Sequence, residues 1–442
     1  MRFLYFILFF VLKYSFWVYF RKVRTHNSPK EFFGRTIYVS NHCASFMDPL
    51  IVAAIQRPIV FFMTRSDVFT TLVKPILWAS HMLPIFREHD GLDTRTKNEQ
   101  VFDTCAKILN YNRNLLVFGE GFTDDIFIRR LKPLKKGAVR IGFHALEKYN
   151  WKKKIYIAGV GVNYTEPSLM RSDCLVSSSD KICLNDYRAE YEANPNKVIT
   201  DLTKDIEKRI QEQITHVQIA ADAPFHEMVQ QITRQGMHPT SGDRSIPLKN
   251  RWRNSQKLAH YFNANPDKIS GEFANLRERL TNYNAKLKAK KIEDRDLIEF
   301  QLKGKFSRLN ELLKMILLSP LAVLGLIHCW PIYKIVKNFV EKSFKREVFY
   351  GSVKLLLGTI GMGLINIPFI FLFYSFVYPS WWLAILYYSL IGVFFLAMLL
   401  FNGALITWKR KGEIKLKYLK DLSTERTALR KEIEGSELNV LN

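Results

Sequence analysis

Near the carboxyl end the chain carries two long apolar runs. From Leu355 to Val377 there are 23 residues without a charge, and from Trp381 to Trp408 another 28. A bilayer core takes about 20 helical residues at 1.5 Å rise each, so either run can cross it. Only Tyr378, Pro379 and Ser380 separate them, which predicts a transmembrane hairpin over 336–408 with both outer ends on one side. Lys409 to Lys420 holds six Lys/Arg and one acid, and Val336 to Lys354 holds five against two. Positive residues flanking spans favour the cytoplasmic face and anionic lipids, so both flanks are expected there, with 409–442 as a basic cytoplasmic tail. Part of the formal net charge of +24 is therefore topological.

Two shorter runs read differently. Met315 to Tyr333 is apolar but contains Pro320, His328 and Pro331. Proline breaks the helical ladder, so 313–335 is expected to be re-entrant or interfacial. Residues 1–33 open with an aromatic-rich stretch in which Arg2 and Lys13 leave only ten uncharged residues between them. That is short for a span, and no small-residue cleavage site precedes Arg21-Lys22-Val23-Arg24, so an interfacial membrane anchor is expected. The soluble part is then expected to stay on the cytoplasmic side.

Between these anchors, residues 34–220 read as α/β. Short β-branched or aromatic runs (Thr36–Val39, Ile59–Phe62, Leu115–Phe118, Ile155–Val162) alternate with amphipathic stretches. Residues 221–312 are charged and helical in pattern, cut by Pro224, Pro239, Pro247 and Pro266. With 48% hydrophobic residues the chain can bury a sizeable core. The five cysteines form no C-x-x-C pair or ligand cluster, so neither a metal site nor a disulfide scaffold is expected. No nucleic-acid motif accompanies the basic surplus, and none is expected as a partner.

The chemistry concentrates at Ser40-Asn41-His42-Cys43-Ala44-Ser45-Phe46-Met47-Asp48-Pro49. A strand ends at Ser40, a loop carries His42, and Asp48-Pro49 opens an apolar helix. Imidazole is suited to take a proton from a hydroxyl near neutral pH, and a carboxylate on its other nitrogen would fix the tautomer. Two structural readings stand beside this one. Asp48 before Pro49 fits a helix N-cap, and His42 fits a satisfied loop histidine. Cys43 reads as a packing residue, since nothing nearby would lower its pKa.

Further blocks follow in order: Leu83-Pro84-Ile85-Phe86-Arg87, Leu115-Leu116-Val117-Phe118-Gly119-Glu120-Gly121, Leu131-Lys132-Pro133-Leu134-Lys135-Lys136-Gly137 and Ile157-Ala158-Gly159-Val160-Gly161-Val162. The series resembles the phospholipid/glycerol acyltransferases over about Gly34 to Pro167. Five residues separate His42 from Asp48 where four are usual, which looks like the branch holding the glycerol-3-phosphate/dihydroxyacetone-phosphate acyltransferases. The resemblance implies a mixed sheet flanked by helices, with His42 as general base and Asp48 as its orienting carboxylate. It implies that Arg87 holds the acceptor phosphate and that Glu120-Gly121 shapes the acceptor pocket. Gly119 replaces the usual proline, and Phe122-Thr123 stand where the family often has Thr-Arg, so loop charge would come from Lys132, Lys135, Lys136 or Arg129. The implied reaction passes an acyl group from acyl-CoA or acyl carrier protein to a glycerol-phosphate-type hydroxyl, with no permanently bound cofactor and with membrane lipids as partners. Acylation of another lysolipid or amino-lipid, or a non-catalytic lipid-binding role for the same fold, are the alternatives.

Overall fold

The computed structural model describes residues 3–71, 74–85, 94–304 and 307–439. The chain forms two compact units. The first comprises Met1–Phe16, Lys22–Pro167 and Asp173–Gln218, and the second Trp17–Arg21, Ser168–Ser172 and Ile219–Asn442.

Among the described residues, the first unit is built on eight strands: β1 (Lys22–His26), β2 (Thr36–Ser40), β3 (Val60–Arg65), β4 (Met82–Ile85), β5 (Asn114–Phe118), β6 (Tyr156–Tyr164), β7 (Asp173–Ser178) and β8 (Ile182–Cys183). Their order is β1-β7-β6-β2-β5-β3-β4, with β8 paired to the start of β6. Neighbours run parallel except at β6–β7 and β6–β8, so the sheet is mixed. The central strands are apolar without alternation because both faces are covered. Ile37, Val39, Leu115, Val117 and Ile157 face a core that includes Leu109 of α4 (Thr94–Asn110), Ile141 of α5 (Gly137–Lys148) and Leu202 and Ile206 of α7 (Pro195–Gln211). The other helices here are α1 (Phe3–Tyr19), α2 (Met47–Ile55), α3 (Lys74–Ala79) and α6 (Arg188–Ala193).

The sheet begins ahead of Gly34, the boundary expected from sequence. Lys22 and Arg24 sit in an edge strand paired with β7, and not in a membrane anchor. The anchor reduces to α1, an apolar helix of 17 residues that falls short of a full span.

Among the described residues, the second unit contains a helical core and three helices long and apolar enough to cross a bilayer: Leu309–His328, Glu347–Phe376 and Trp381–Glu413. These point to a membrane protein. The first covers most of 313–335, and α13 (Leu309–His328) runs unbroken through Pro320. Proline removes the donor that would meet the Ile316 carbonyl, and the Ser319 hydroxyl donates to that carbonyl instead at 2.8 Å. Pro331 lies in the first turn of the next helix, α14 (Trp330–Ser343), where a missing N–H costs nothing. His328 is buried by pairing: its ring bonds Asn366 Oδ1 and the Tyr387 hydroxyl, each at 2.6 Å.

The long runs are interrupted helices, α15 (Tyr350–Ile365) with α16 (Ile367–Phe376), and α17 (Trp381–Ser389) with α18 (Ile391–Glu413). α13 packs along α18. Gly325 permits this, since a Cβ there would lie 2.3 Å from the Phe394 carbonyl oxygen.

The helical core consists of α8 (Ala223–Thr233), α9 (Leu248–Ala264), α10 (Pro266–Ser270), α11 (Ala274–Ala289), α12 (Asp294–Lys303) and α19 (Leu416–Glu434). The segment read as a basic tail is thus a core helix that buries Leu419, Leu422, Leu429 and Ile433 on one face. Arg426 lies on the same face and bonds both oxygens of Asp294 at 2.9 and 3.1 Å, with the Tyr283 hydroxyl donating to Asp294 at 2.6 Å. Arg410 pairs with Glu293 and Asp296, and Lys411 with Glu299. Charge that the sequence assigns to the lipid surface is therefore partly spent within the protein.

Candidate active site

The loop after β2 carries His42, and the helix that follows it returns Asp48. Five intervening residues fit because the loop winds tightly: Ser45 adopts φ 53°, and the amides of Met47 and Asp48 donate to the carbonyls of Ala44 and Ser45 at 3.1 and 3.2 Å. The result is a contact of 3.0 Å between His42 Nδ1 and Asp48 Oδ2. Asp48 does not cap α2; the position before the helix is Phe46, which makes no side-chain cap.

Asp48 is fully buried, and the groups around it compensate its charge, the Cys43 thiol contacting Oδ1 at 4.0 Å among them. Besides His42, the Ala44 amide donates to Oδ2 at 2.8 Å and the Tyr164 hydroxyl to Oδ1 at 3.0 Å. A carboxylate only accepts, so Nδ1 of His42 carries the proton and Nε2 presents a lone pair. The imidazole side chain retains 22% of its exposure and leans on the Phe118 ring at 4.4 Å between centroids. Asn41 fixes the root of the loop by exchanging two bonds with the backbone of Val162, at 3.1 and 2.8 Å. The sequence reading assigns no role to Tyr164, or to Asn41 although it stands beside His42 in the same block. Both lie far along the chain from the partners they meet.

Glu120 follows β5, the parallel neighbour of β2, so its side chain reaches the same end of the sheet. One oxygen accepts the His42 amide at 2.6 Å and the other the Lys132 amide at 3.1 Å. Burial pushes its carboxyl up to about 7, against the lowering effect of those two amides. Glu120 thus ties the His42 loop to the following loop. Gly121 turns the chain at φ 77°, a left-handed conformation that favours glycine.

The basic candidates divide. Arg129 is buried with its guanidinium bonded to the carbonyls of Tyr164 and Thr165, which makes it a strut. Lys135 is exposed beside Gly121, and exposed Lys136 bonds the Thr200 hydroxyl at 2.7 Å. Lys132 is buried and approaches Asp124 at 3.1 Å. Arg87 lies outside the described residues. Burial, with the charges of Asp48 and Glu120 added, drives the Cys43 thiol well above its ordinary range, so it offers no thiolate. Among the described residues no group of three His, Cys, Asp or Glu side chains could hold a metal ion.

These features define an α/β domain with a carboxylate-oriented histidine at the carboxyl ends of parallel strands. Residues 21–163 match the family model described as Acyltransferase, which supports the phospholipid/glycerol acyltransferase family and acyl transfer in lipid synthesis. No curated protein matches the chain.

Proposed function

We propose that the protein is a membrane-bound O-acyltransferase that moves a fatty acyl group from acyl-CoA or acyl carrier protein to the hydroxyl of a glycerol-phosphate-type acceptor, glycerol 3-phosphate or 1-acylglycerol 3-phosphate. One observation carries the reading: a buried Asp48 fixes the proton on Nδ1 of a solvent-reachable His42 within a segment matching the Acyltransferase model. Nε2 takes the proton of the acceptor hydroxyl as its oxygen attacks the thioester carbonyl. The carbon–sulfur bond then breaks, and the imidazolium returns the proton to the departing thiolate. A thioester is already activated, so positioning and proton transfer are what the protein must add, and a placed base contributes about 10²–10⁴-fold. The apolar helices support an acylated product that resides in the bilayer, as 1-acylglycerol 3-phosphate would as acceptor, and the catalytic face is proposed to be cytoplasmic.

The test is product analysis by mass spectrometry on the purified full chain in lipid nanodiscs, given either donor and a panel of acceptors. Acylation of a glycerol phosphate with donor-thiol release supports the reading. Product formed only on unphosphorylated lysolipids or amino-lipids would overturn the acceptor assignment, and absence of any product would overturn the enzyme.

A further inference from the structure

The loop between Gly121 and Lys132 holds an arrangement that the base mechanism leaves unused. Arg130 faces Asp124 side-on: its Nε donates to Oδ2 at 3.1 Å and its Nη2 to Oδ1 at 2.8 Å. Lys132 Nζ closes on the same Oδ1 at 3.1 Å. A guanidinium fork backed by an ammonium is the geometry that recognises the O–P–O edge of a phosphate, and a carboxylate presents the same pair of oxygens. Burial works against the charge on Asp124, but Arg130 and Lys132 outweigh it and hold the carboxyl below its usual range. From residue 124 to 136 the chain carries five Lys/Arg and two Asp.

The fork adjoins the base. Lys132 donates its amide to Glu120, whose other oxygen holds the amide of His42. One carboxylate therefore spaces the cations from the imidazole. Asp124 itself lies in a stretch with neither helix nor strand, between exposed Phe122 and exposed Ile126. Lys132 Nζ additionally contacts the Phe122 carbonyl at 3.3 Å and sits 3.9 Å over the Phe122 ring. Arg129, by contrast, is spent on backbone carbonyls and has no fork to offer.

We propose that Arg130 and Lys132 form the receptor for the acceptor's phosphomonoester, and that Asp124 is its built-in occupant, which the phosphate displaces on binding. The proposal rests on the reading of a phosphate-bearing acceptor. It adds a specificity device: a tethered carboxylate competes as if present at millimolar or higher concentration, so weak anions are excluded and a dianionic phosphate is selected.

The full chain in nanodiscs is tested as wild type, Asp124→Asn and Arg130→Gln. Inorganic phosphate binding is measured by calorimetry, and KM is measured for glycerol 3-phosphate, with the KM for acyl-CoA as control. Asp124→Asn is expected to tighten phosphate binding and lower the glycerol 3-phosphate KM about fivefold, by removing the competitor. Arg130→Gln is expected to weaken both by about tenfold or more. Arg130→Lys keeps the charge without the fork; it should lose about threefold or more, and carries the test if the Asp124 variant does not fold. Phosphate binding unchanged by the Arg130 variants, or weakened by Asp124→Asn, overturns the proposal even where glycerol 3-phosphate is acylated. Phosphate binding that responds as expected, with no phosphorylated acceptor turned over, upholds the fork and sinks the acceptor reading instead.

Discussion

Replacing Asp48 by asparagine tests the logic of the site at a resolution that alanine cannot. Two donors converge on Oδ2, the Ala44 amide and His42 Nδ1, while Oδ1 meets the Tyr164 hydroxyl and, more distantly at 4.0 Å, the Cys43 thiol, both of which can also accept. The Ala44 amide cannot turn, whereas a hydroxyl can accept as readily as donate. The new amide should therefore place its oxygen at the Oδ2 position and its NH2 toward Tyr164. In that orientation the Nδ1–H bond and the tautomer survive, and what is lost is the negative charge that stabilises the imidazolium. The net value of a bond to a charged group, about 1.5–3 kcal/mol, sets the cost at about 10- to 150-fold in kcat/KM. Where the same substitution inverts the tautomer the loss is about 10⁴-fold. Steady-state thiol release from acyl-CoA reads the difference. Tyr164→Phe in the Asp48→Asn background should lose activity further, because it strands the new NH2. A loss near 10⁴-fold in a folded Asp48→Asn protein would refute the orientation argument, and an unchanged rate would remove Asp48 from the mechanism.

Other outcomes follow from the surrounding structure. Glu120 keeps its proton in the folded state up to about pH 7, while the unfolded chain loses it near 4.5. Its contribution is therefore complete below pH 4.5 and is lost as pH rises to 7, a change of about 3 kcal/mol. Glu120→Gln should flatten the fall in stability across that window, as read by denaturation at a series of pH values. Arg426→Ala leaves Asp294 buried and unpaired and should destabilise the helical core by about 3–5 kcal/mol. Faster hydrogen exchange in α8, α12 and α19 would show it, and Arg426→Met with Asp294→Asn should recover part of the loss. Cys43→Ala should keep turnover within about threefold, since a thiol held well above its usual range supplies no nucleophile.

Much of the catalytic unit is legible in the sequence because its signals are local. Central strands covered on both faces appear as continuous apolar runs, and β2, β5 and β6 lie within a residue or two of where those runs fall. The pairing of His42 with Asp48 spans only six positions, so a loop reading reaches it. What escapes is set by distant partners. β1 is a basic pentapeptide whose identity depends on β7, some 150 residues away. Tyr164 and Asn41 acquire their roles only when β6 is laid beside β2. Pro320 argues against an unbroken helix until the hydroxyl of Ser319 is found to serve the orphaned carbonyl. The terminal segment reads as a charged tail, because Arg426 looks like solvent-facing charge until Asp294 and Tyr283 are found around it.

The central claim is that the Nε2 lone pair of His42 removes the acceptor's proton. The most direct measurement compares donor-thiol release by His42→Ala and wild type in the same bilayer, with glycerol 3-phosphate saturating and folding checked by circular dichroism. The account predicts a fall of about 10²–10⁴-fold in turnover, with acyl-donor binding retained. A folded variant that keeps more than about a tenth of wild-type turnover would contradict it, since so small a loss is below what a placed base contributes.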